Sequence, residues 1–129
     1  MKIMPYTSFI LLLVVLLTAC QDKTGSSEPV SYAKQVTPIL QTHCLKCHNK
    51  QGEGYKASGL SMETYSDLMA GTKFGPVIVP GNSISSTLVR VISGKADPAI
   101  TMPHGGMQLM KNHEIKTIEN WIDQGAKDN

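Results

Sequence analysis

The stretch HCLKCH, residues 43–48, holds two of the three cysteines and two of the four histidines of this 129-residue chain. Thiols and imidazoles this close together serve four purposes in small proteins. They form a structural disulfide, a redox-active cysteine pair, a zinc site, or an attachment site for a covalently bound haem. The compartment that the chain reaches bears on the choice, because free thiols seldom persist outside the cytosol.

The N-terminus has the pattern of an export signal. Phe9 to Leu17 is an unbroken apolar run of nine residues, whereas a bilayer-spanning helix needs roughly 20. The run leads into Leu17-Thr18-Ala19-Cys20, which resembles a bacterial lipobox, so we predict a lipoprotein signal peptide over residues 1–19 and lipidation of Cys20. An ordinary signal peptide beside an unmodified cysteine is the alternative. Gln21 is not an inner-membrane retention aspartate, which favours an outer-membrane anchor facing the periplasm.

Composition limits the partners of the exported chain. Residues 20–30 predict a flexible, lipid-anchored tether, because they contain Gly, Ser and Pro and almost no large apolar side chain. Residues 31–129 are then a single domain. The whole chain has 12 basic and 10 acidic side chains, and the basic ones are scattered. We therefore expect no nucleic-acid partner.

The cysteine cluster fits haem attachment better than the other three purposes. A disulfide that closes two intervening residues constrains the unfolded chain very little. A redox pair calls for a βαβ setting, and a zinc site calls for a second pair of ligands. Cys44-Leu45-Lys46-Cys47-His48 instead predicts one haem c, with Cys44 and Cys47 bonded to its vinyl groups and His48 as the proximal iron ligand. His43 is expected to be an exposed helix residue.

The sequence after the tether predicts short helices joined by glycine- and proline-rich loops. No alternating strand pattern occurs, so we predict an all-α fold. Residues 31–44 predict a helix that breaks at Pro38, where Thr37 caps the second part. Residues 52–59 are expected to form a loop.

Capping residues and apolar spacing predict three further helices. The first lies between Thr64 and Gly71, the second spans residues 82–94, and the third is capped by Asn112 and ends at Gly125. The last two carry apolar stripes, made of Ile84, Leu88, Val91 and Ile92 in one and of Ile115, Ile118, Trp121 and Ile122 in the other. Trp121 is expected to pack against the first helix and the haem edge.

A haem-ligating histidine usually donates its second ring N–H to a fixed acceptor, often a backbone carbonyl. Residues 73–81 are expected to be extended, because residues that precede proline avoid the helical region. This segment follows the cysteine cluster at a distance that lets it return beneath the haem. We predict that the carbonyl of Pro76 or Pro80 accepts the proton of His48.

The distal iron ligand must reach the haem from a later part of the chain. The candidates are the later methionines and histidines: Met62, Met69, Met102, Met107, Met110, His104 and His113. Met102 is favoured, because it stands in a loop where Pro103 biases it toward extended backbone and because its thioether suits ferrous haem. His104 is the main alternative and Met107 the next, whereas His113 is expected on the solvent side of the last helix.

Several blocks of this sequence follow one another as in the planctomycete-type cytochrome c domain. They are VTPILQTHCLKCH, GLSMETYSDLMAG, GPVIVPGNSISSTLVRVI, TMP and EIKTIENWIDQGA, which span about Val36 to Ala126. The resemblance implies a small class I cytochrome c-like fold, with short helices wrapped around one covalently bound haem. It also implies that Cys44 and Cys47 attach the haem, that His48 is the proximal ligand and that Met102 is the distal ligand. His104 departs from the family, which commonly has a second proline there.

These observations favour electron transfer over catalysis. Ligation by His and Met raises the potential of a haem and leaves no coordination position for a substrate. No paired carboxylates and no nucleophile–base pair stand out, so we do not expect an enzyme. We predict a monohaem single-electron carrier between periplasmic donor and acceptor proteins, held at the membrane by the lipid on Cys20. The alternative is an open-site haem peroxidase or a gas or redox sensor.

Overall fold

The computed structural model describes residues 28–105 and 107–129. Within these ranges the chain forms helices and no strand, apart from one isolated bridge between Thr72 and Gly75. The predicted all-α fold is therefore confirmed. The predicted signal peptide, the lipidation at Cys20 and most of the predicted tether lie outside the described residues. No helix in the described part is long and apolar enough to cross a bilayer.

The helices of the described part are short. They are α1 (Thr37–His43), α2 (Glu53–Ser58), α3 (Tyr65–Ala70), α4 (Thr87–Ile92) and α5 (Asn112–Asp123). A π-helical turn (Tyr32–Val36) leads into α1, and a 3₁₀ turn (Pro98–Ile100) lies between α4 and α5.

The chain enters α1 without the break that we predicted at Pro38. The hydroxyl of Ser31 accepts the backbone N–H of Lys34 at 3.2 Å and so caps the preceding π-helical turn. Pro38 then lies in the first turn of α1, where a missing N–H breaks no helical hydrogen bond. Thr37 has helical backbone angles and does not cap the helix. Both predictions were wrong because the π-helical turn passes directly into α1.

Residues 52–59, predicted to be a loop, contain α2. Glycine lowers helix propensity by about 1 kcal/mol relative to alanine, and Gly52, Gly54 and Gly59 all lie in or beside this helix. A tertiary contact offsets that cost, since the Tyr55 N–H donates to the Cys47 carbonyl at 3.1 Å. Gly59 ends α2 with a φ of 80°, a conformation that other residues rarely adopt.

The predicted helix between Thr64 and Gly71 is confirmed as α3. The Thr64 hydroxyl accepts the Asp67 backbone N–H at 3.0 Å, which is an N-cap bond. Gly71 ends the helix with a φ of 79°.

Helix α4 is shorter than predicted and begins only at Thr87. In the preceding residues, side chains bond to the local backbone and compete with the helical pattern. The Asn82 side chain accepts the Ser85 N–H at 2.9 Å, and the Ser86 hydroxyl donates to the Asn82 carbonyl at 2.8 Å. Ile84 therefore lies outside the helix and is 86 % exposed, so its assignment to the apolar stripe was wrong.

Helix α5 begins with Asn112, so our prediction of Asn112 as its cap was wrong by one residue and the cap is Lys111. The Glu114 carboxylate accepts the N–H of Lys111 at 2.7 Å and so satisfies the backbone just ahead of the helix. The apolar stripe is confirmed, since Ile118, Trp121 and Ile122 are all buried.

Three aromatic rings, those of Tyr32, Tyr65 and Trp121, pack against one another. The Trp121 ring lies 5.3 Å from that of Tyr32 and 6.5 Å from that of Tyr65. The Trp121 indole N–H donates to the Lys127 carbonyl at 2.8 Å, so its polar atom is satisfied although the side chain is buried. Its contact with the start of the first helical segment agrees with our prediction. Trp121 does not line the cavity described below, and its contact with the haem edge stays a prediction.

A matched pair of isoleucines tests this core. Ile122 is fully buried, whereas Ile84 is 86 % exposed. Ile122→Ala should lower the free energy of unfolding by about 2–5 kcal/mol, because it leaves a cavity. Ile84→Ala should change it by less than about 0.5 kcal/mol. Denaturant unfolding of the two variants measures both values, and equal costs would contradict the described packing.

Candidate functional site

The cysteine cluster opens into a cavity of about 710 Å³. This volume lies within the roughly 300–1,000 Å³ of typical ligand pockets. Apolar side chains from α4 and from the segments around it, such as Val77, Leu88 and Ile92, form much of its wall. Every residue predicted to hold the haem lines it, namely Cys44, Cys47, His48 and Met102.

A tight turn brings the two cysteines to this cavity. Both the Cys47 N–H and the His48 N–H donate to the Cys44 carbonyl, at 3.1 and 2.9 Å. The side-chain amide of Asn49 donates to the Leu45 carbonyl at 2.9 Å and holds the turn closed. Cys44 and Cys47 are free thiols, partly buried at the cavity wall.

The environment of Cys44 does not suit a redox-active thiolate. Burial, with a further contribution from Cys47, raises the pKa of the Cys44 thiol to about 12. Cysteines that act as nucleophiles in disulfide exchange have a lowered pKa instead. The thiol of Cys44 is therefore protonated at neutral pH, which disfavours the redox-pair interpretation of the cluster.

His48 is held in one orientation. The residue is 8 % exposed, and its Nδ1 lies 3.2 Å from the carbonyl oxygen of Leu60. A carbonyl only accepts hydrogen bonds, so in the neutral ring Nδ1 carries the proton and Nε2 has the lone pair that a metal would need. The prediction that Pro76 or Pro80 supplies this carbonyl was wrong. Leu60 takes that role because its segment returns to His48 directly after α2.

Two glycines allow α2 to pack on the cysteine turn. A Cβ atom on Gly54 would lie 2.8 Å from Cε1 of the His48 ring and 2.9 Å from the Cys47 carbonyl oxygen. A Cβ atom on Gly52 would collide with the same carbonyl. We did not predict this role from the sequence, although two glycines so close to a ligand cluster are a signal of close backbone approach.

His43 was predicted to be exposed, and this was wrong. It is 8 % exposed, lines the cavity, and its Nε2 lies 3.2 Å from Oε1 of Glu114. The Lys111 backbone N–H, and after it His43, hold the pKa of the Glu114 carboxyl below its ordinary value. The partner of His43 lies 71 residues away in sequence, so no local pattern indicated this burial.

The candidate distal ligands differ in whether they line the cavity and in where their backbone is attached. Met102 is half-buried on the cavity wall, and its backbone N–H donates to the Val91 carbonyl at 2.9 Å, which ties its loop to α4. Met62 also lines the cavity, but its N–H donates to the His48 carbonyl at 2.7 Å, so its backbone is attached on the side of the proximal ligand. The cavity is also lined by His104, Met107 and Met110. The choice of Met102 among them stays a prediction.

Two candidates lie elsewhere. Met69 packs against the core of the domain and does not line the cavity. His113 is exposed on α5, as predicted, and it does not line the cavity either.

The donor set suits a covalently attached haem. Two free thiols and one imidazole with an open Nε2 share a largely apolar cavity that has room for a large planar group. Thioether sulfurs line the same cavity and are soft ligands for iron. Each residue type that attachment and axial ligation require is therefore present.

A family model described as Planctomycete cytochrome C matches residues 44–106. No curated protein and no solved structure gives a significant match to the chain. This match supports the planctomycete-type cytochrome c domain that the sequence predicted. Such a domain implies covalently bound haem c, which points to a haem c-binding protein. The matched segment reaches from Cys44 past Met102.

Gly54→Ala tests the packing of α2 on His48. Alanine favours a helix over glycine by about 0.5–1 kcal/mol, so α2 alone would gain stability. We expect the opposite for the site, because the new methyl group displaces the His48 ring and alters the haem absorbance spectrum. Lys56→Ala, an exposed change in the same helix, is the control. A Gly54→Ala spectrum identical to that of the parent would contradict the close approach.

Proposed function

We propose that this protein is a lipid-anchored monohaem electron carrier, which passes single electrons between periplasmic donor and acceptor proteins. The observation that carries the proposal is the shared cavity, where both cysteines, an oriented imidazole and Met102 come together. Haem supplies reversible one-electron chemistry when it is bound.

Each of these residues has a distinct task in the proposal. Cys44 and Cys47 hold the haem through thioether bonds, so a small domain retains it without enclosing it completely. His48 is the proximal ligand, and its bond to Leu60 fixes the ring. Met102 is the distal ligand and closes the last coordination position. The apolar side chains of the cavity wall, such as Leu88, Val91 and Ile92, would limit the access of water to the haem.

Whether protein ligands occupy every coordination position of the iron distinguishes an electron carrier from a haem enzyme or sensor. With His48 and Met102 both bound, a substrate has no coordination position, and the thioether raises the potential. We therefore propose that the protein is not an enzyme. An open distal position would favour the alternative, a peroxidase or a gas or redox sensor.

Met102→Ala tests both the distal ligand and the class of function. The variant should become high-spin when oxidised and bind carbon monoxide when reduced, because the sulfur no longer closes the iron. Absorbance spectra of both oxidation states measure this. Met69→Ala is the matched control, since Met69 packs away from the cavity, and it should keep the spectrum of the parent.

His104 complicates this test, because it lines the same cavity and can take the vacant position. The double variant Met102→Ala with His104→Ala removes that possibility. If Met102→Ala keeps the spectrum, potential and inertness of the parent, Met102 is not the ligand. If the parent is itself high-spin and binds carbon monoxide readily, the carrier gives way to the open-site alternative.

The membrane anchor is proposed from the sequence around Cys20. The first described residues bond to the far end of the chain rather than to the cavity, since the Ser31 hydroxyl donates to the Asn129 carbonyl at 2.8 Å. Cys20→Ser should therefore release the protein from membranes and leave its haem spectrum unchanged. Fractionation of cells measures the release. Continued sedimentation with membranes in high salt, without detergent, would count against a lipid anchor.

A further inference from the structure

The segment Leu60–Ser61–Met62 holds His48 at two points. The Leu60 carbonyl accepts the ring Nδ1–H at 3.2 Å, and the Met62 N–H donates to the His48 backbone carbonyl at 2.7 Å. Both residues that flank Ser61 are therefore bonded to the proximal ligand. Ser61 itself does not line the haem cavity, and its side chain is bonded elsewhere.

Ser61 is anchored by two carboxylates. The residue is 3 % exposed, and its Oγ lies 3.3 Å from Oε2 of Glu63 and 3.3 Å from Oδ2 of Asp67. Its single hydroxyl proton is shared between these acceptors. The Glu63 backbone N–H in turn donates to the Ser61 oxygen at 3.3 Å. A buried serine in this position links the segment to the first turn of α3, where Asp67 lies.

Lys50 contacts the same two carboxylates and lies close to His48 in the chain. Its ammonium group lies 3.5 Å from Oδ2 of Asp67, and its backbone N–H donates to Oε2 of Glu63 at 3.2 Å. Lys50 stands two residues after His48 in the chain. These bonds therefore connect the segment that contains Leu60 to Lys50, which follows His48 closely in the chain.

We propose that Ser61 is a positioning residue for the proximal ligand, which fixes the Leu60 carbonyl against the His48 ring and thereby sets the reduction potential of the haem. The inference rests on the proposed function, in which His48 ligates the iron. The link is covalent, because the carbonyl of Leu60 and the N–H of Ser61 belong to one planar peptide group. Holding Ser61 therefore fixes the direction of the carbonyl.

The effect on the haem follows from ligand basicity. A fixed acceptor on the second ring nitrogen makes a histidine a stronger electron donor to its metal. A stronger donor stabilises ferric iron relative to ferrous iron, which lowers the potential. Loss of the Ser61 hydroxyl frees the peptide plane, weakens the bond to His48 and raises the potential.

Ser61→Ala in the haem-loaded protein tests this, with Ser66→Ala as the matched control. Ser66 is exposed on α3, five residues further along the chain. Two quantities are measured: the reduction potential, and the exchange rate of the His48 Nδ1–H by NMR of the reduced protein. Ser61→Ala should exchange this proton about tenfold faster than the parent, as expected for a weakened hydrogen bond, and should have a higher potential. Ser66→Ala should match the parent in both.

A second variant keeps the test decisive if Ser61→Ala fails to fold. Asp67→Asn keeps the size of the side chain and an acceptor oxygen but weakens the anchor, so it should also speed the exchange of the His48 proton. If a folded Ser61→Ala or Asp67→Asn protein loses stability while this exchange rate and the potential stay at parent values, Ser61 is only structural and the inference is overturned. A parent without a low-spin covalent haem would overturn the proposed function, and this inference with it.

Discussion

The ring of His48 is buried, and its Nδ1 lies 3.2 Å from the carbonyl of Leu60. A typical hydrogen bond adds only about 1 kcal/mol to stability, but a buried donor left without a partner costs about 1–3 kcal/mol. This bond matters more for the chemistry of the site than for the stability of the fold. It assigns the proton to Nδ1 and leaves Nε2 free to bind iron. The packing of α2, which requires glycine at position 54, leads the chain directly into the segment that supplies the acceptor.

The proximal side of the site is local in sequence. The attachment turn, α2 and the segment around Leu60 lie within twenty residues of one another, and backbone hydrogen bonds connect them. The opposite wall comes from α4 and the loop after it, where the Met102 N–H is tied to the Val91 carbonyl. The proximal side has fixed hydrogen bonds, and the opposite wall offers several sulfur and imidazole donors. This difference is why the geometry orients the His48 ring, whereas it does not choose between Met102 and the other distal candidates.

The sequence predicted the features that depend on local chemistry. Five consecutive residues form the attachment motif. The cap at Thr64 and the glycine at the end of α3 likewise interact with residues only a few positions away. Features that depend on contacts between separate elements were missed. His43 is buried by Glu114, which lies on the last helix, and α2 forms despite its glycines because Cys47 accepts a bond from it. The acceptor for His48 was sought at a proline, although the nearer Leu60 supplies it.

The most direct test of this account is the mass of the denatured protein, produced in cells that carry out cytochrome c maturation. If Cys44 and Cys47 hold the cofactor through thioether bonds, the polypeptide should exceed its calculated mass by one haem. It should also keep its red colour when unfolded. A colourless chain whose mass is that of the polypeptide alone would contradict the central claim that this cavity is built around a covalent haem.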